Sequence, residues 1–204
     1  MSREGEHVEA YLRGHREAGA ALVDRYYGRI LAFFRNKAPA AAHDLTQEVF
    51  VECFAALGRL RDPERFRSFL FAVACNQLRK HYARCRRDGD HLDFGTVSAI
   101  DLDPSPSRIV AGKEEQRLVL EGLRRLPVDY QVVLELVFWE DMTAAEIGEV
   151  LDVPLGTVKT RIRRGKALLG EAVAALAAGA GGLALVDVDA WARGLRERAG
   201  AREP

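Results

Sequence analysis

Cysteine is scarce in this chain, and what there is falls in no ligating pattern. Cys53, Cys75 and Cys85 are the only three in 204 residues, an odd number with no CxxC and no His/Cys metal spacing. A disulfide framework is therefore not expected, and the thiols read as reduced core or interface residues of a cytoplasmic protein. Long apolar runs are also missing. The opening MSREGEHVEAYLRG has no apolar signal region, and no stretch approaches the roughly 18 apolar residues that a bilayer span needs. The nearest candidate, the Ala/Gly/Leu stretch 172–186, is short and interrupted by glycine. Nor is there a Gly-rich phosphate loop, a nucleophile–base–acid set or a metal cluster, so the expectation is no enzyme, no cofactor, no metal and no membrane partner.

Net charge is absent too: 30 Lys and Arg balance 30 Asp and Glu. A zero average would argue against a nucleic-acid protein, but the charge is sorted into blocks. Between 76 and 87 stand Arg79, Lys80, Arg84, Arg86 and Arg87 with no acid. Between 88 and 115, Asp88, Asp90, Asp93, Asp101, Asp103, Glu114 and Glu115 face only Arg108 and Lys113. Segments of opposite sign imply different partners for different parts of the chain.

What is abundant is helical periodicity, and the fold class expected is all-α. Residues 8–35 recur apolar at helical spacing through Leu12, Leu22, Tyr26, Ile30 and Phe34. Pro39 and its alanines mark a turn. Residues 44–60 form a second amphipathic helix, with Leu45, Val49, Cys53, Leu57 and Leu60 on its core side, Phe50 at the margin, and Asp44, Gln47, Glu48 and Glu52 opposite. Residues 61–64, with Pro63, break it, and 66–87 make the next helix on Phe66, Leu70, Val73 and Ala74. Residues 89–112, rich in Pro, Ser and Asp without periodicity, read as a linker. Helices 114–126 (Leu118, Leu120, Leu123, Leu126) and 128–139 (Val132, Val133, Leu136, Val137) follow.

Residues 142–169, MTAAEIGEVLDVPLGTVKTRIRRGKALL, organise the rest. Thr143 with Glu146 three residues on is a capping box, which starts a short helix. Asp152-Val153-Pro154 ends it, because proline lacks a donor and disfavours helix before it. A second helix runs to about Leu169, its stripe Val158, Ile162, Gly165 and Leu169 facing Ile147, Val150 and Leu151. Two short helices about a tight turn make a helix-turn-helix whose second helix fits the major groove. From 155 to 170 there are five basic residues and no acid. A basic run alone reads as a solvated face; with the capped partner helix and the proline turn, it reads as DNA binding. A stand-alone helix-turn-helix regulator and a protein-binding adaptor are the alternatives. The first needs no acidic 44–52 face, and the second leaves both acid-free basic segments unexplained.

The motifs resemble bacterial RNA polymerase sigma factors, above all the extracytoplasmic-function (ECF) group. Leu126-Pro127, then Thr143-Ala144-Ala145-Glu146-Ile147 and Pro154-Leu155-Gly156-Thr157-Val158-Lys159-Thr160-Arg161, match the family's promoter-binding region, and Asp44-Leu45-Thr46-Gln47-Glu48-Val49-Phe50 its polymerase-docking signature. The resemblance spans residues 8–170. It implies domains at 1–87 (region 2), 88–113 (acidic linker) and 114–170 (region 4), with 171–204 a C-terminal extension. It also implies promoter-directed transcription initiation with DNA melting. Asp44, Gln47, Glu48 and Phe50 would contact the β′ clamp helices of core RNA polymerase, with the β flap as a further contact. Ala56, Leu60, Asn76, Arg79, Lys80 and Arg84 would act at the downstream (minus-10) element, where a base is flipped. Thr157, Lys159, Thr160, Arg161, Arg163, Arg164 and Lys166 would act at the upstream (minus-35) element, with Arg161 and Lys166 on phosphate. The sequence departs from the family at Phe69, where tryptophan is usual, and at Lys80, where an acid or amide is common. In the tail, 177–182 reads as a hinge. An amphipathic helix over 187–199 with Trp191 would pack on its own domain or act as a latch in place of an anti-sigma protein.

Overall fold

The computed structural model describes residues 2–85, 94–102 and 114–179. These are helical apart from turns and one isolated bridge, Ser98 to Pro127. They form two compact units, the first chiefly of residues up to 90 and the second of those from 91 on. No helix among the described residues is long and apolar enough to cross a membrane.

The first unit opens with α1 (Arg3–Leu12), whose end is capped by the Ser2 hydroxyl accepting from the Gly5 amide at 3.1 Å. One helix over 8–35 was expected; the chain instead turns at Gly14, at φ 101°, and starts α2 (Arg16–Arg35). Apolar spacing continues through the turn, so periodicity hides the break. The left-handed backbone that only glycine adopts freely makes it. Gly19 then lets α2 approach α1, since a Cβ there would lie 2.6 Å from the Tyr11 ring. The Tyr26 hydroxyl donates to Glu4, which also accepts from the Arg67 amide at 3.2 Å, tying α1 to both α2 and α4.

Helix α3 (Ala42–Ala56) carries Leu45, Val49 and Cys53 into the core, and a 3-10 turn (Leu57–Arg59) takes the place of its expected last turn. Asp62 caps the Pro63–Arg65 turn that leads into α4 (Phe66–Cys85). Phe66, Leu70, Phe71, Ala74, Leu78 and Tyr82 give α4 its buried stripe. The Tyr82 hydroxyl donates to the Lys37 carbonyl at 2.9 Å. Lys37 is itself fully buried at the end of α2, its ammonium 2.9 Å from the Phe33 carbonyl and over the Phe33 ring. The basic residues Arg86 and Arg87 lie outside the described residues.

The second unit begins before the expected domain boundary. Residues 94–102, read above as linker, pack on it. The Val128 amide donates to the Val97 carbonyl and the Asp129 amide to the Phe94 carbonyl, both at 3.0 Å. Ser98 and Asp101 cap the short α5 (Ala99–Leu102), and Ala99 is fully buried. The rest of the acidic linker falls outside the described residues. Helices α6 (Glu114–Arg124) and α7 (Val128–Phe138) supply Val119, Leu123, Leu134 and Phe138 to one core. Leu118 and Leu120, expected in that core, are half-buried, and Val119 takes the place between them.

Helix α8 (Ala144–Leu151) has both halves of its capping box: the Glu146 amide bonds the Thr143 hydroxyl at 3.2 Å, and Glu146 accepts from the Thr143 amide at 2.7 Å. Asp152, at φ 56°, supplies the left-handed C-cap that the turn requires. Helix α9 (Leu155–Gly179) outruns the expected stop near Leu169 by ten residues. Its continuation is a packing element. Val173 is 2% exposed in the same core, and a Cβ on Gly122 of α6 would meet its methyl at 2.9 Å. The expected hinge therefore does not begin at Ala177, which is helical and buried. The 187–199 segment and Trp191 lie outside the described residues.

Candidate functional site

Because α3 buries Leu45, Val49 and Cys53, its 3.6-residue period turns Asp44, Gln47, Glu48, Val51 and Glu52 outward. Helix α4 lies alongside with Gln77, Lys80, Ala83 and Arg84, and the two enclose an open groove of about 910 Å³. Part of its lining is apolar: Val51, 72% exposed, stands with Ala55 and Ala83. Its walls are ionic. Lys80 Nζ lies 3.2 Å from Glu52, Arg84 Nη2 lies 3.6 Å from Glu48, and the Gln77 amide donates to Glu52. All four ionic side chains are substantially exposed, so these pairs contribute little stability and can exchange with a partner's charges.

Three expected site residues stand differently from their sequence assignment. Phe50 is not on the exposed face; it is 7% exposed and stacked between Tyr27 and Phe54, with ring centroids 6.3 Å from each. The ring packs between α2 and its own helix, because apolar neighbours fill the space that a margin position leaves. Lys80 and Arg84, assigned to DNA, point at the acids of α3. Asn76 is exposed and accepts from Arg79 Nη1 at 3.3 Å, while Ala56, Leu60 and Phe69 are half-buried.

In the second unit, Val158 is fully buried, and Gly165 brings α9 against α7, where a Cβ would meet the Leu134 side chain at 3.2–3.5 Å. With this side of α9 against α7, the opposite side faces solvent. Lys159, Thr160, Arg163 and Arg164 are exposed there and make no ion pair among the described residues; Thr157 is half-buried. Lys166 lies over the Phe138 ring, 5.9 Å from its centroid. Arg161 departs from expectation. It pairs with Asp129 at the start of α7, and both side chains are about one-fifth exposed. Arg161 stands out in the sequence as part of a basic run, but its partner, 32 positions away, does not.

Burial pushes the Cys53 thiol up from 9.0 to about 12 by desolvation. It is a core residue, as is Cys75, and neither forms a disulfide.

Comparison with known proteins bears on both units. Residues 22–88 match the family model for sigma-70 region 2, and residues 116–169 that for sigma-70 region 4. The RNA polymerase sigma-H factor of Pseudomonas aeruginosa is 30% identical over 177 residues, 81% of this chain and 91% of that protein. The chain is a sigma factor of the ECF group. The ECF sigma-E factor of Haemophilus influenzae is 27% identical over 79% of this chain and 90% of its own length. The ECF sigma-E factor of Escherichia coli is 24% identical over 78% and 88%. Among solved structures, CnrH in complex with the cytosolic domain of CnrY superposes with a TM-score of 0.61 at 25% identity, covering 85% of this chain and 99% of that one.

As a sigma factor, the protein binds core RNA polymerase and promoter DNA and serves promoter-specific initiation of transcription. A stand-alone regulator is not favoured, since the region 2 match takes in α3, α4 and the groove between them.

Proposed function

We propose that the groove between α3 and α4 docks the sigma factor on core polymerase, and that the outer face of α9 reads the upstream promoter element. One observation carries the division: on one unit, a groove where the exposed Val51 stands among Asp44, Glu48 and Glu52 of α3, and on the other an exposed, acid-free basic face. Apolar contact on Val51 supplies affinity, and Asp44, Gln47, Glu48 and Glu52 select a basic partner helix and set its register. Phe50 supports this surface from beneath. On α9, Lys159, Thr160, Arg163 and Arg164 face base edges, with Thr157 and Lys166 beside them. Asn76, Arg79, Ala56 and Leu60 serve the downstream element, where a splayed base needs an amide and a basic backbone contact.

The factor carries no covalent chemistry of its own and works in the cytoplasm, where its polymerase and DNA partners are. A regulatory protein segment, or the chain's own 187–199 tail, would act by covering the polymerase-binding or the DNA-binding surface. Run-off transcription with purified core enzyme, followed by sequencing of the transcript starts, tests the function. Start sites sharing an upstream and a downstream element support it; starts indistinguishable from those of core enzyme alone refute it. Glu48→Lys in a pull-down on core enzyme tests the groove, where unchanged affinity would reject it.

A further inference from the structure

One arginine of α9 is held off its exposed basic face. Arg161 and Gly165 lie one turn apart on the side of α9 that faces α7, where Gly165 sits against Leu134. Arg161 ends that contact line in a part-buried ion pair with Asp129. Asp129 is held in turn. Its amide donates to the Phe94 carbonyl at 3.0 Å, next to the Val128–Val97 bond, and it stands in the first turn of α7, where a carboxylate favours the helix dipole. A charge fixed from the backbone side and paired on the other is a stiff anchor. The neighbouring Lys159, Arg163 and Arg164 are exposed with no such partner among the described residues.

We propose that Asp129 is a specificity-determining positioning residue of this sigma factor: it withdraws Arg161 from the DNA backbone and sets the rotation of α9 in the groove. The proposal rests on the reading that α9 enters the upstream element. A free guanidinium at the helix margin would add a sequence-blind phosphate contact, raising affinity for every duplex alike. Paired with Asp129, it adds none, and the base-reading side chains keep their register. The segment 94–98, docked on the same turn of α7, supports the anchor from behind.

The test uses holoenzyme reconstituted from the full chain and core polymerase. The probes are a promoter duplex taken from mapped start sites and the same duplex with its upstream element scrambled. Dissociation constants over a salt series give a salt slope and a discrimination ratio for each variant. Asp129→Asn, which keeps shape and removes charge, should steepen the slope by about 0.9 on both duplexes, the signature of one added phosphate contact. It should also lower the discrimination ratio by about tenfold, the size of one good base contact. Asp129→Glu should restore both. Arg161→Gln should lower the ratio without making the slope shallower, and it carries the test alone if Asp129→Asn melts early. A slope shallower by about one for Arg161→Gln would mean that Arg161 contacts phosphate in the native protein, overturning the proposal. An unchanged slope and ratio in a folded Asp129→Asn would do the same. A native holoenzyme that binds the two duplexes equally would instead refute the reading of α9 itself, and with it this role.

Discussion

Val173 tests whether the C-terminal third of α9 belongs to the DNA-binding unit. Its side chain is 2% exposed in a core with Val119, Leu123, Leu126, Leu134, Phe138 and Leu169, and a methyl rests on the backbone of Gly122. Val173→Ala removes two methyl-sized groups at about 0.8 kcal/mol each. The residual cavity adds to this, giving a cost of about 2 kcal/mol. Local opening of the unit should then rise about thirtyfold. Amide exchange in the full-length protein, read on α6 and α9, is the direct assay. Ala174→Ser, on the exposed side of the same turn, should change nothing. A chain ending at Gly170 loses Val173 and Ala177 together and should fail in promoter-directed transcription, whereas one ending at Gly179 should keep it. Protection in α6 that changes by less than about threefold, under ~0.7 kcal/mol, would show that the core is complete without Val173.

Three other outcomes are expected. Val51→Asp should weaken binding to core polymerase about tenfold, by forfeiting apolar contact worth about 1.5 kcal/mol, with helical circular dichroism unchanged; native affinity in a titration would remove Val51 from the interface. Thr143→Ala should cost about 1 kcal/mol by leaving the α8 amides without their cap, seen as a lower melting temperature and partly restored by Thr143→Ser. Burial raises the folded Cys53 thiol to about 12 from an ordinary 9.0, so the unfolded chain releases this proton first as pH rises. The stability of the first unit should therefore be level in this respect below pH 9 and fall between 9 and 12, less steeply in Cys53→Ala, and folded Cys53 should resist alkylation at pH 8.

The amino-acid sequence by itself determined what depends on neighbours along the chain. The Thr143–Glu146 box, the turn at Asp152–Pro154, the acid-free face of α9 and the two-sided α3 are relations of one to four positions, and each stands in the structure. Helical period says which side of a helix is apolar, but not which helix lies against it. That choice belonged to the tertiary structure, and it decided the charges. Lys80 and Arg84 face Glu52 and Glu48 because α4 packs on α3. Arg161 is drawn off the exposed basic face of α9 because the first turn of α7 places Asp129 beside it, and Phe50 is covered by Tyr27 and Phe54. Val173 joined the core because Gly122, 51 positions earlier, leaves room for it. Apolar burial is non-directional and is satisfied by whichever face is near, while an ion pair needs two particular atoms within about 4 Å. Local pattern can specify the first, and only the assembled helices can supply the second.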